Sequence, residues 1–394
     1  MQVLLTTCGS AYLPHPAKAF HARGSLVGLW ITDRCKNGLA PEKVRRCWAF
    51  QLAMQPFFRL TPQIVVEKAF YALFPIWRPW IRSQLTALDQ PCDVMHALMG
   101  YATEPFDAAE KIGALKVIDC PNSHPTSYFG FWQRECDIWC PGENVPIPRW
   151  MYARMNRELE RADMILCPST FVRDSMLMNG IAPEKCFVNP FGVDTSVFQP
   201  RKTLPGKPRF ICVGTICVRK GHQYLFRAFE IVKKRFPDAE LICVGGHKID
   251  FRRERPKWEG TFTHFPHLSH PELAKLLQSC TAFVFPSMEE GFARVIPEAM
   301  GAGLPIIASY ESGATTLVEE AVEGFIVPGR DPGRIAEAML RAARDRELCR
   351  RMGEAAYKKG AVKNTWQDYG DRLLAEYAGR LGKQDAATSN PKNS

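Results

Sequence analysis

A short run in the second half of the chain combines two carboxylates with a glycine turn. Residues 286–305 follow a predicted buried strand, turn at Gly291 and enter a predicted helix, so that Glu290 precedes the helix and Glu298 lies inside it. The amino end of a helix offers unpaired backbone N–H groups and a positive dipole, which suit a diphosphate. Two carboxylates at this spacing then fit the hydroxyl groups of a sugar and a ribose. The alternative is an acidic loop followed by a solvated glutamate.

Apolar runs and amphipathic segments alternate around this site. The alternation predicts parallel sheets that are covered by helices on both faces. Strands are predicted at 3–6, 93–98, 115–119, 164–167, 210–213, 241–244, 281–285 and 305–308, and helices at 225–236, 272–278, 296–300 and 334–344. A further helix is predicted after Cys167, with Ser169 or Thr170 as its N-cap.

The length of 394 residues exceeds what one hydrophobic core usually supports, and we therefore expect two domains. The apolar-poor stretch 199–208 is the best linker candidate, between a first domain over 1–200 and a second over 206–365. Residues 366–383 are predicted to form a helix that packs back on the first domain, and 384–394 a disordered tail.

The composition excludes several classes of protein. With 46% hydrophobic and 23% charged residues the chain is not globally disordered. The 14 cysteines are scattered through apolar runs, which is typical of reduced thiols in a cytosolic protein. No signal peptide and no run of about 18 apolar residues is recognised, so we expect neither classical export nor a membrane span.

Half of the formal net charge of +10 falls in one segment. Residues 42–82 contain seven Lys or Arg against two Glu, and they are rich in aromatic residues. Basic and aromatic residues on short helices broken by prolines suit an anionic membrane surface, whereas the alternative is packing of the aromatics on the first domain. The predicted membrane contacts are Arg45, Arg46, Arg78, Arg82, Trp77 and Trp80.

These motifs resemble those of the retaining glycosyltransferases of family four, within the glycosyl transferases of group 1. The resemblance covers most of 160–345 and implies an α/β GT-B fold, in which two Rossmann-like domains with parallel sheets face each other. The first would bind the acceptor and the second the nucleotide-sugar donor. The matching segments are Phe285-Pro-Ser287, Glu290-Gly-Phe-Ala293, Glu298-Ala-Met-Gly-Ala-Gly-Leu-Pro305, Val213-Gly-Thr215, Lys220-Gly221, 189–194 and 324–328.

The resemblance implies a role for each matching donor-side residue. Glu290 matches the acidic residue of the catalytic site that contacts the transferred sugar beside the reacting carbon, and Glu298 matches the ligand of the nucleotide ribose. Lys220 matches the lysine that neutralises the donor diphosphate. The backbone of Gly291, Phe292 and Ala293 matches the cradle of the diphosphate and sugar.

The chain also departs from the family pattern. Thr215 stands where the family commonly has an arginine, and Arg219 is either its substitute or a solvated loop charge. On the acceptor side, the paired glycines of the family are reduced to Gly9 and Ser10.

His124 follows a predicted strand where the family often places an acceptor-side histidine. It is predicted to act in catalysis by hydrogen bonding to the transferred sugar or the acceptor hydroxyl. One alternative is a histidine that only caps a loop. Another is a zinc site with Cys120, Cys136 and Cys140.

The expected function is retaining transfer of a sugar from a nucleotide diphosphate sugar to a glycan or lipid-linked acceptor, in the synthesis of cell-surface polysaccharide or glycolipid. The chain contains no Asp-x-Asp, so neither a metal nor another cofactor is expected. Two alternatives stay open: a nucleotide-sugar epimerase or hydrolase on the same fold, and a non-catalytic basic membrane-binding protein. We expect a cytoplasmic protein, peripheral on the inner face of the plasma membrane, with no nucleic-acid partner.

Overall fold

The computed structural model describes residues 1–9, 12–33, 38–60, 69–142 and 147–388. Two sheets, each entirely parallel, form the centres of the amino- and carboxyl-terminal halves. The first sheet contains β1 Val3–Thr6, β2 Leu26–Ile31, β3 Val44–Arg46, β4 Val94–Leu98, β5 Leu115–Asp119, β6 Met164–Cys167 and β7 Cys186–Val188. The second contains β8 Arg209–Val213, β9 Glu240–Val244, β10 Thr263–Phe265, β11 Ala282–Phe285, β12 Ile306–Ser309 and β13 Gly324–Val327.

Helices connect the parallel strands. In the first half they are Pro14–Ala22, Trp48–Leu60, Phe74–Thr86, Thr103–Ile112, Pro125–Trp139, Arg149–Arg161 and Thr170–Met178. In the second half they are His222–Arg235, His270–Gln278, Val295–Gly301, Pro332–Arg344, Arg346–Tyr357 and Trp366–Thr388. The predicted N-cap of the helix Thr170–Met178 is Ser169, whose hydroxyl accepts the Val172 N–H. The α/β class with parallel sheets is therefore confirmed.

The strand order of each sheet determines where a ligand can bind. The first sheet runs β3-β2-β1-β4-β5-β6-β7 and the second β10-β9-β8-β11-β12-β13. The order reverses between β1 and β4 and between β8 and β11, which opens a crevice at the carboxyl ends of these strands. The loops after β5, β8 and β11 contain the residues singled out from the sequence.

The last helix, Trp366–Thr388, crosses back to the first half of the chain. Trp366 stacks on His15, with ring centroids 4.1 Å apart. Farther along, the Tyr377 hydroxyl hydrogen-bonds His96 Nδ1 at 2.8 Å, and His96 Nε2 lies 3.0 Å from Asp119. These buried polar contacts join the helix to the strand that precedes the His124 loop.

The structure differs from the sequence predictions at short strands and at prolines. The strands β2, β3, β7, β10 and β13 were not predicted. Pro56 and Pro79 lie within helices instead of ending them. The last helix continues to Thr388, beyond the predicted start of the tail at 384, while 389–394 lie outside the described residues.

Candidate active site

Arg219 and Lys220 occupy a short 3-10 turn after β8 that ends at Gly221. Gly221 has φ +75°, and a Cβ at this position would lie 2.0 Å from the Pro286 carbonyl oxygen. A residue without a side chain is therefore required for the loops after β8 and β11 to meet. The contact is completed by the Met288 N–H, which donates to the Arg219 carbonyl at 2.8 Å.

Two adjacent cations meet two adjacent carboxylates at this junction. Arg219 Nη1 lies 2.9 Å from Glu289 Oε2 and 3.3 Å from Glu290 Oε2. Lys220 Nζ contacts Glu290 Oε2 directly. The Glu289 side chain is fully buried, whereas that of Glu290 is 19% exposed. We call these four residues the charge cluster.

Burial and neighbouring charges shift the two cations in opposite directions. Burial lowers the pKa of Lys220 to about 7, and repulsion by Arg219 contributes. Burial also opposes the charge of Arg219, but contact with Tyr128 and Glu289 outweighs it and raises the pKa of Arg219. Arg219 is therefore a permanent cation, while the charge of Lys220 responds to pH near neutrality.

Aromatic rings from the first domain cover the guanidinium of Arg219. Its Cζ lies 5.8 Å from the Tyr128 ring centroid and 5.7 Å from that of Trp132. Lys248, from the loop after β9, has its Nζ 5.0 Å from the same Trp132 ring. Both rings are on the helix Pro125–Trp139, so the first domain contributes to the electrostatics of the cluster through cation–π contacts.

The first domain also packs directly against Gly291. A Cβ at Gly291 would lie 1.8 Å from the Pro121 carbonyl oxygen. The Ser169 hydroxyl donates to the Gly291 carbonyl. The Ser123 N–H and hydroxyl both donate to Glu289 Oε1, at 3.2 and 3.0 Å. The described arrangement is thus a closed one, in which the loop after β5 rests on the loop after β11.

Only some backbone N–H groups of the predicted diphosphate cradle, Gly291 to Ala293, are available to a ligand. The N–H groups of Glu290 and Ala293 donate to carbonyl oxygens at 311–312, at 2.8 and 3.3 Å. Within the described residues no hydrogen bond is formed by the N–H groups of Gly291 and Phe292. These two groups are therefore the ones that remain for an oxyanion.

Glu298 lies in the first turn of the short helix Val295–Gly301 and is half-buried. Burial raises the pKa of its carboxyl to about 7, although Arg294 opposes the shift. When ionised, this carboxyl has two oxygens that can accept hydrogen bonds from the two hydroxyls of a diol.

His124 is the N-cap of the helix Pro125–Trp139. Its ring Nδ1 accepts a hydrogen bond from the Thr126 backbone N–H at 3.2 Å. The His124 backbone N–H donates to the Ser175 hydroxyl at 2.9 Å. Burial lowers the pKa of the imidazole to about 4, so the ring is neutral. Because Nδ1 is an acceptor, Nε2 carries the proton and is a donor. His124 therefore caps the helix through Nδ1, as the alternative interpretation expects, while its Nε2–H can still donate to another group.

Zinc binding by Cys120, His124, Cys136 and Cys140 has no support in the geometry. Among the described residues, no group of three or more His, Cys, Asp or Glu side chains is arranged to hold a metal ion. Cys120 instead contacts the Met99 sulfur at 3.9 Å within the core.

The remaining predicted site residues are less informative. Thr215 is half-buried. The backbone just before it, at Gly214, packs closely on Gly245, where a Cβ would lie 2.4 Å from the Gly214 carbonyl oxygen. Gly9 has φ +100° and its N–H donates to the Thr32 hydroxyl at 2.7 Å. Ser10 lies outside the described residues.

The predicted membrane contacts do not share one surface. Trp77 is completely buried, so its assignment as a membrane contact is wrong: the residue fills the core beneath its helix. Trp80 is partly buried. Arg45 Nη1 donates to Gln84 at 3.0 Å, and Arg46 packs 5.8 Å from the Trp48 ring centroid.

Arg78 and Arg82 turn towards a buried acid. Arg78 Nε lies 2.7 Å from Glu104 Oε1 and Arg82 Nη2 lies 3.9 Å from the same atom. The two arginine side chains are 42% and 57% exposed.

Sequence reasoning missed two buried acids at the domain junction. Glu289 is one. The other is Glu135, whose Oε1 lies 2.7 Å from Arg330 Nε and whose Oε2 accepts from Gln223 and Tyr224, each at 3.1 Å. The only sequence signal for Glu289 was its position beside Glu290, and no local pattern marks Glu135.

Comparison with known proteins identifies the class. Residues 195–359 match the family model described as glycosyl transferases group 1. The fold is also that of solved structures along nearly the whole chain. Sucrose-phosphate synthase from Thermosynechococcus elongatus aligns with TM-score 0.68 at 18% identity, over 98% of this chain and 100% of that one. The Anabaena protein HepE in complex with UDP-glucose aligns with TM-score 0.68 at 15% identity, over 96% and 100%.

Curated relatives match a smaller part of the chain. D-inositol 3-phosphate glycosyltransferase 1 of Catenulispora acidiphila is 27% identical over 60% of this chain and 62% of its own length. A GDP-mannose-dependent alpha-(1-6)-phosphatidylinositol monomannoside mannosyltransferase of Mycobacterium tuberculosis is 29% identical over 62% of this chain and 67% of its own.

The chain is therefore an α/β protein of the GT-B class. Residues 195–359 match the glycosyl transferases of group 1, and the predicted resemblance is confirmed at this level; family four within the group stays a prediction. Within the described residues, no helix combines the length and the apolar character that a membrane span requires.

We predict that Gly291→Ala forces the two domains apart. The new methyl group would overlap the Pro121 backbone, and overpacking of this kind costs about 1–3 kcal/mol. Small-angle scattering should show a larger radius of gyration and calorimetry a lower melting temperature. Gly246→Ala is the matched control, because a methyl group at that position would have no atom within 4 Å. Identical scattering from the two variants would contradict the closed arrangement.

Proposed function

We propose that the chain transfers a sugar from a nucleotide diphosphate sugar to an acceptor hydroxyl, with retention at the anomeric carbon. The observation that supports this most directly is the charge cluster at the crevice between β8 and β11. Adjacent cations at the switch point of a parallel sheet suit a diphosphate. The relative that is named as GDP-mannose-dependent and the HepE complex with UDP-glucose agree with a donor of this class.

Donor binding would exchange one anion for another. In the free protein the Glu290 carboxylate forms an ion pair with the Lys220 ammonium. A diphosphate carries more charge and displaces it, which releases Glu290 towards the sugar. Arg219 remains fixed by the buried Glu289, so one cation is preorganised while the other is exchanged.

The reaction itself is a substitution at the anomeric carbon. The acceptor oxygen forms a bond to that carbon on the face from which the diphosphate departs. The bond to the β-phosphate oxygen breaks, its electron pair stays on the phosphate, and the acceptor proton passes to a departing phosphate oxygen. Lys220 and the free N–H groups of Gly291 and Phe292 stabilise the growing negative charge. Glu290 positions the sugar and stabilises the positive charge at its carbon.

The remaining polar groups have distinct proposed contacts. His124 Nε2–H would donate to the transferred sugar, because the N-cap contact fixes its tautomer. Glu298 would bind the ribose diol. The acceptor would be a glycan or lipid-linked hydroxyl used in cell-surface polysaccharide or glycolipid synthesis. Since Lys220 and Arg219 supply the positive charge, the proposal requires no divalent cation.

We predict that Glu290→Gln abolishes transfer without weakening nucleotide binding. Loss of one electrostatic stabiliser of a transition state costs about 100- to 1,000-fold in rate. Nucleotide diphosphate should bind as tightly as before or more tightly, since the competing carboxylate is gone. The measurement is nucleotide release from the nucleotide sugar that most stabilises the protein in a thermal-shift screen, with and without a membrane lipid extract.

Glu337→Gln, at an exposed glutamate on Pro332–Arg344, is the control. An unchanged transfer rate in Glu290→Gln would contradict the catalytic role. Nucleotide release that no acceptor increases would favour a hydrolase, and interconversion of sugars without nucleotide release an epimerase. Absence of any nucleotide binding would favour the non-catalytic alternative.

We predict that donor affinity falls as pH rises through about 7. The lowered pKa of Lys220 means that its ammonium is present below this pH and lost above it. The dissociation constant of a nucleotide sugar should be constant on the acid side and rise by about tenfold per pH unit on the alkaline side. Lys220→Gln should bind weakly at all pH values, and a parallel rise in that variant would assign the titration elsewhere. The groups that face Lys220 are Arg219, Glu289, Glu290, Cys212 and Cys217.

We also propose peripheral attachment to the cytoplasmic face of the plasma membrane, through a surface that shares only Arg46 with the predicted contacts. Trp48 and Leu52 lie one turn apart on the helix Trp48–Leu60 and are 49% and 60% exposed. Arg46 packs beside Trp48. Exposed apolar side chains next to a cation suit an interface with anionic lipid.

We predict that Trp48→Ala/Leu52→Ala reduces sedimentation with vesicles of phosphatidylserine and phosphatidylcholine by several-fold, because the variant loses apolar contact area. Ile112→Ala/Met178→Ala, at two exposed apolar residues elsewhere in the same domain, is the control. Equal sedimentation of the two variants would contradict this surface.

A further inference from the structure

A wide cavity opens on the first domain between the helices Phe74–Thr86 and Arg149–Arg161. It has a volume of about 730 Å³. Four arginines line it, two from each helix, namely Arg78, Arg82, Arg154 and Arg157. We call it the arginine pocket.

The positive charge of this pocket is only partly compensated. Glu104 is fully buried and pairs with Arg154, Arg78 and Arg82. Glu158, also fully buried, lies 3.0 Å from Arg154 Nε. Four guanidinium groups thus face two carboxylates, which leaves a surplus of two positive charges.

The surplus lies at the mouth of the pocket. Arg82 Nη2 reaches Glu104 only at 3.9 Å, and its side chain is 57% exposed. Arg157 is exposed, and no ion pair of its side chain is found within the described residues. Arg154, by contrast, is fixed below them by Glu104 and by donation to the Gly100 carbonyl at 2.7 Å. The fixed guanidinium of Arg154 at the base of the pocket and the exposed guanidinium groups of Arg82 and Arg157 at its mouth suit a doubly charged oxyanion.

The other wall is apolar and aromatic. Trp150, 45% exposed, lies with its ring 5.3 Å from that of Phe74 and 6.3 Å from that of Tyr71. Arg154 Cζ is 5.1 Å from the Phe74 ring centroid. An exposed tryptophan beside two further aromatic rings offers a surface for an alkyl chain or the face of a sugar. The pocket therefore matches an amphipathic ligand and not a free ion alone.

The arginine pocket adjoins a second cavity on the side of the charge cluster. Tyr71 also lines this second cavity of about 320 Å³, together with Tyr128, Trp132 and Lys248. Tyr128 and Trp132 are the rings that cover Arg219. A ligand held in the arginine pocket can therefore extend along one aromatic path towards the donor.

We propose that the arginine pocket binds a phosphate or diphosphate ester on the acceptor, with Arg82 and Arg157 contacting the oxyanion and Trp150 packing on the group next to it. The assignment to the acceptor rests on the proposed function; the anion site itself does not. The ester is either the headgroup of a lipid or a soluble sugar phosphate, which share this chemistry.

The test is calorimetric titration of inorganic pyrophosphate into the full chain saturated with nucleotide diphosphate, so that the charge cluster is already occupied. The wild type should bind pyrophosphate, and Arg82→Gln/Arg157→Gln should bind it about tenfold or more weakly. Both side chains are exposed, so the variant should fold, which its melting temperature checks. Arg235→Gln/Arg334→Gln removes the same charge from exposed positions of the second domain and should bind like the wild type.

Trp150→Ala distinguishes the two sources of the ester. With dihexanoyl phosphatidic acid as the probe, this variant should lose affinity severalfold relative to the wild type, while pyrophosphate affinity changes little. Equal binding of phosphatidic acid and pyrophosphate would favour a soluble ester. Pyrophosphate affinity that is the same in Arg82→Gln/Arg157→Gln and in the wild type would overturn the proposal.

Failure of the proposed function would give a different result. If no nucleotide diphosphate stabilises the chain but pyrophosphate still binds through Arg82 and Arg157, the anion site would stand. Its assignment to a sugar acceptor would then be wrong. If nucleotide release depends on the acceptor but is the same in Arg82→Gln/Arg157→Gln as in the wild type, the proposed function would stand and the role of the arginine pocket would be overturned.

Discussion

The pairing of Arg219 and Lys220 with Glu289 and Glu290 is the interaction on which the functional geometry depends. Two adjacent cations or two adjacent carboxylates would each be costly to bury alone, because like charges repel and lose hydration. They become tolerable only when the loops after β8 and β11 are brought together. This constraint accounts for Gly221, which allows the backbones to touch, and for the donation of Ser123 to Glu289 from the other domain.

The same cluster explains why the closed arrangement can respond to a ligand. The contacts across the junction include polar ones, namely Ser123 with Glu289, Arg330 with Glu135, and Ser169 with the Gly291 carbonyl, beside ring contacts such as Phe191 with Phe292. Polar contacts can be exchanged for water or for a ligand at modest cost, whereas a large apolar interface would lock the domains. An anion that displaces Glu290 from Lys220 therefore acts at the point where the two domains meet, and can bias their closure.

The sequence predicted most of the central strands because these are buried on both faces and read as short apolar runs, as at β5 and β11, although it missed β2, which is buried along its whole length. It missed β3, β7 and β10, each of three residues and without a buried side chain, because such edge strands have no periodicity to detect. At the site, Glu290 and Lys220 were found through their motifs. Glu135 was not, since its partner Arg330 is distant in the chain.

The basic aromatic segment shows why composition alone misassigns a surface. Its charges and rings suggested one amphipathic face, yet Trp77 is core and Arg78 points to the buried Glu104. The relevant partners, Arg154 and Arg157, come from a helix outside the segment, so no count within 42–82 could include them. A surplus of charge inside a walled pocket is less screened than the same surplus spread over a surface, because the low dielectric of the protein strengthens each interaction. The surplus positive charge at the arginine pocket is therefore screened less than the same charge on an open surface would be.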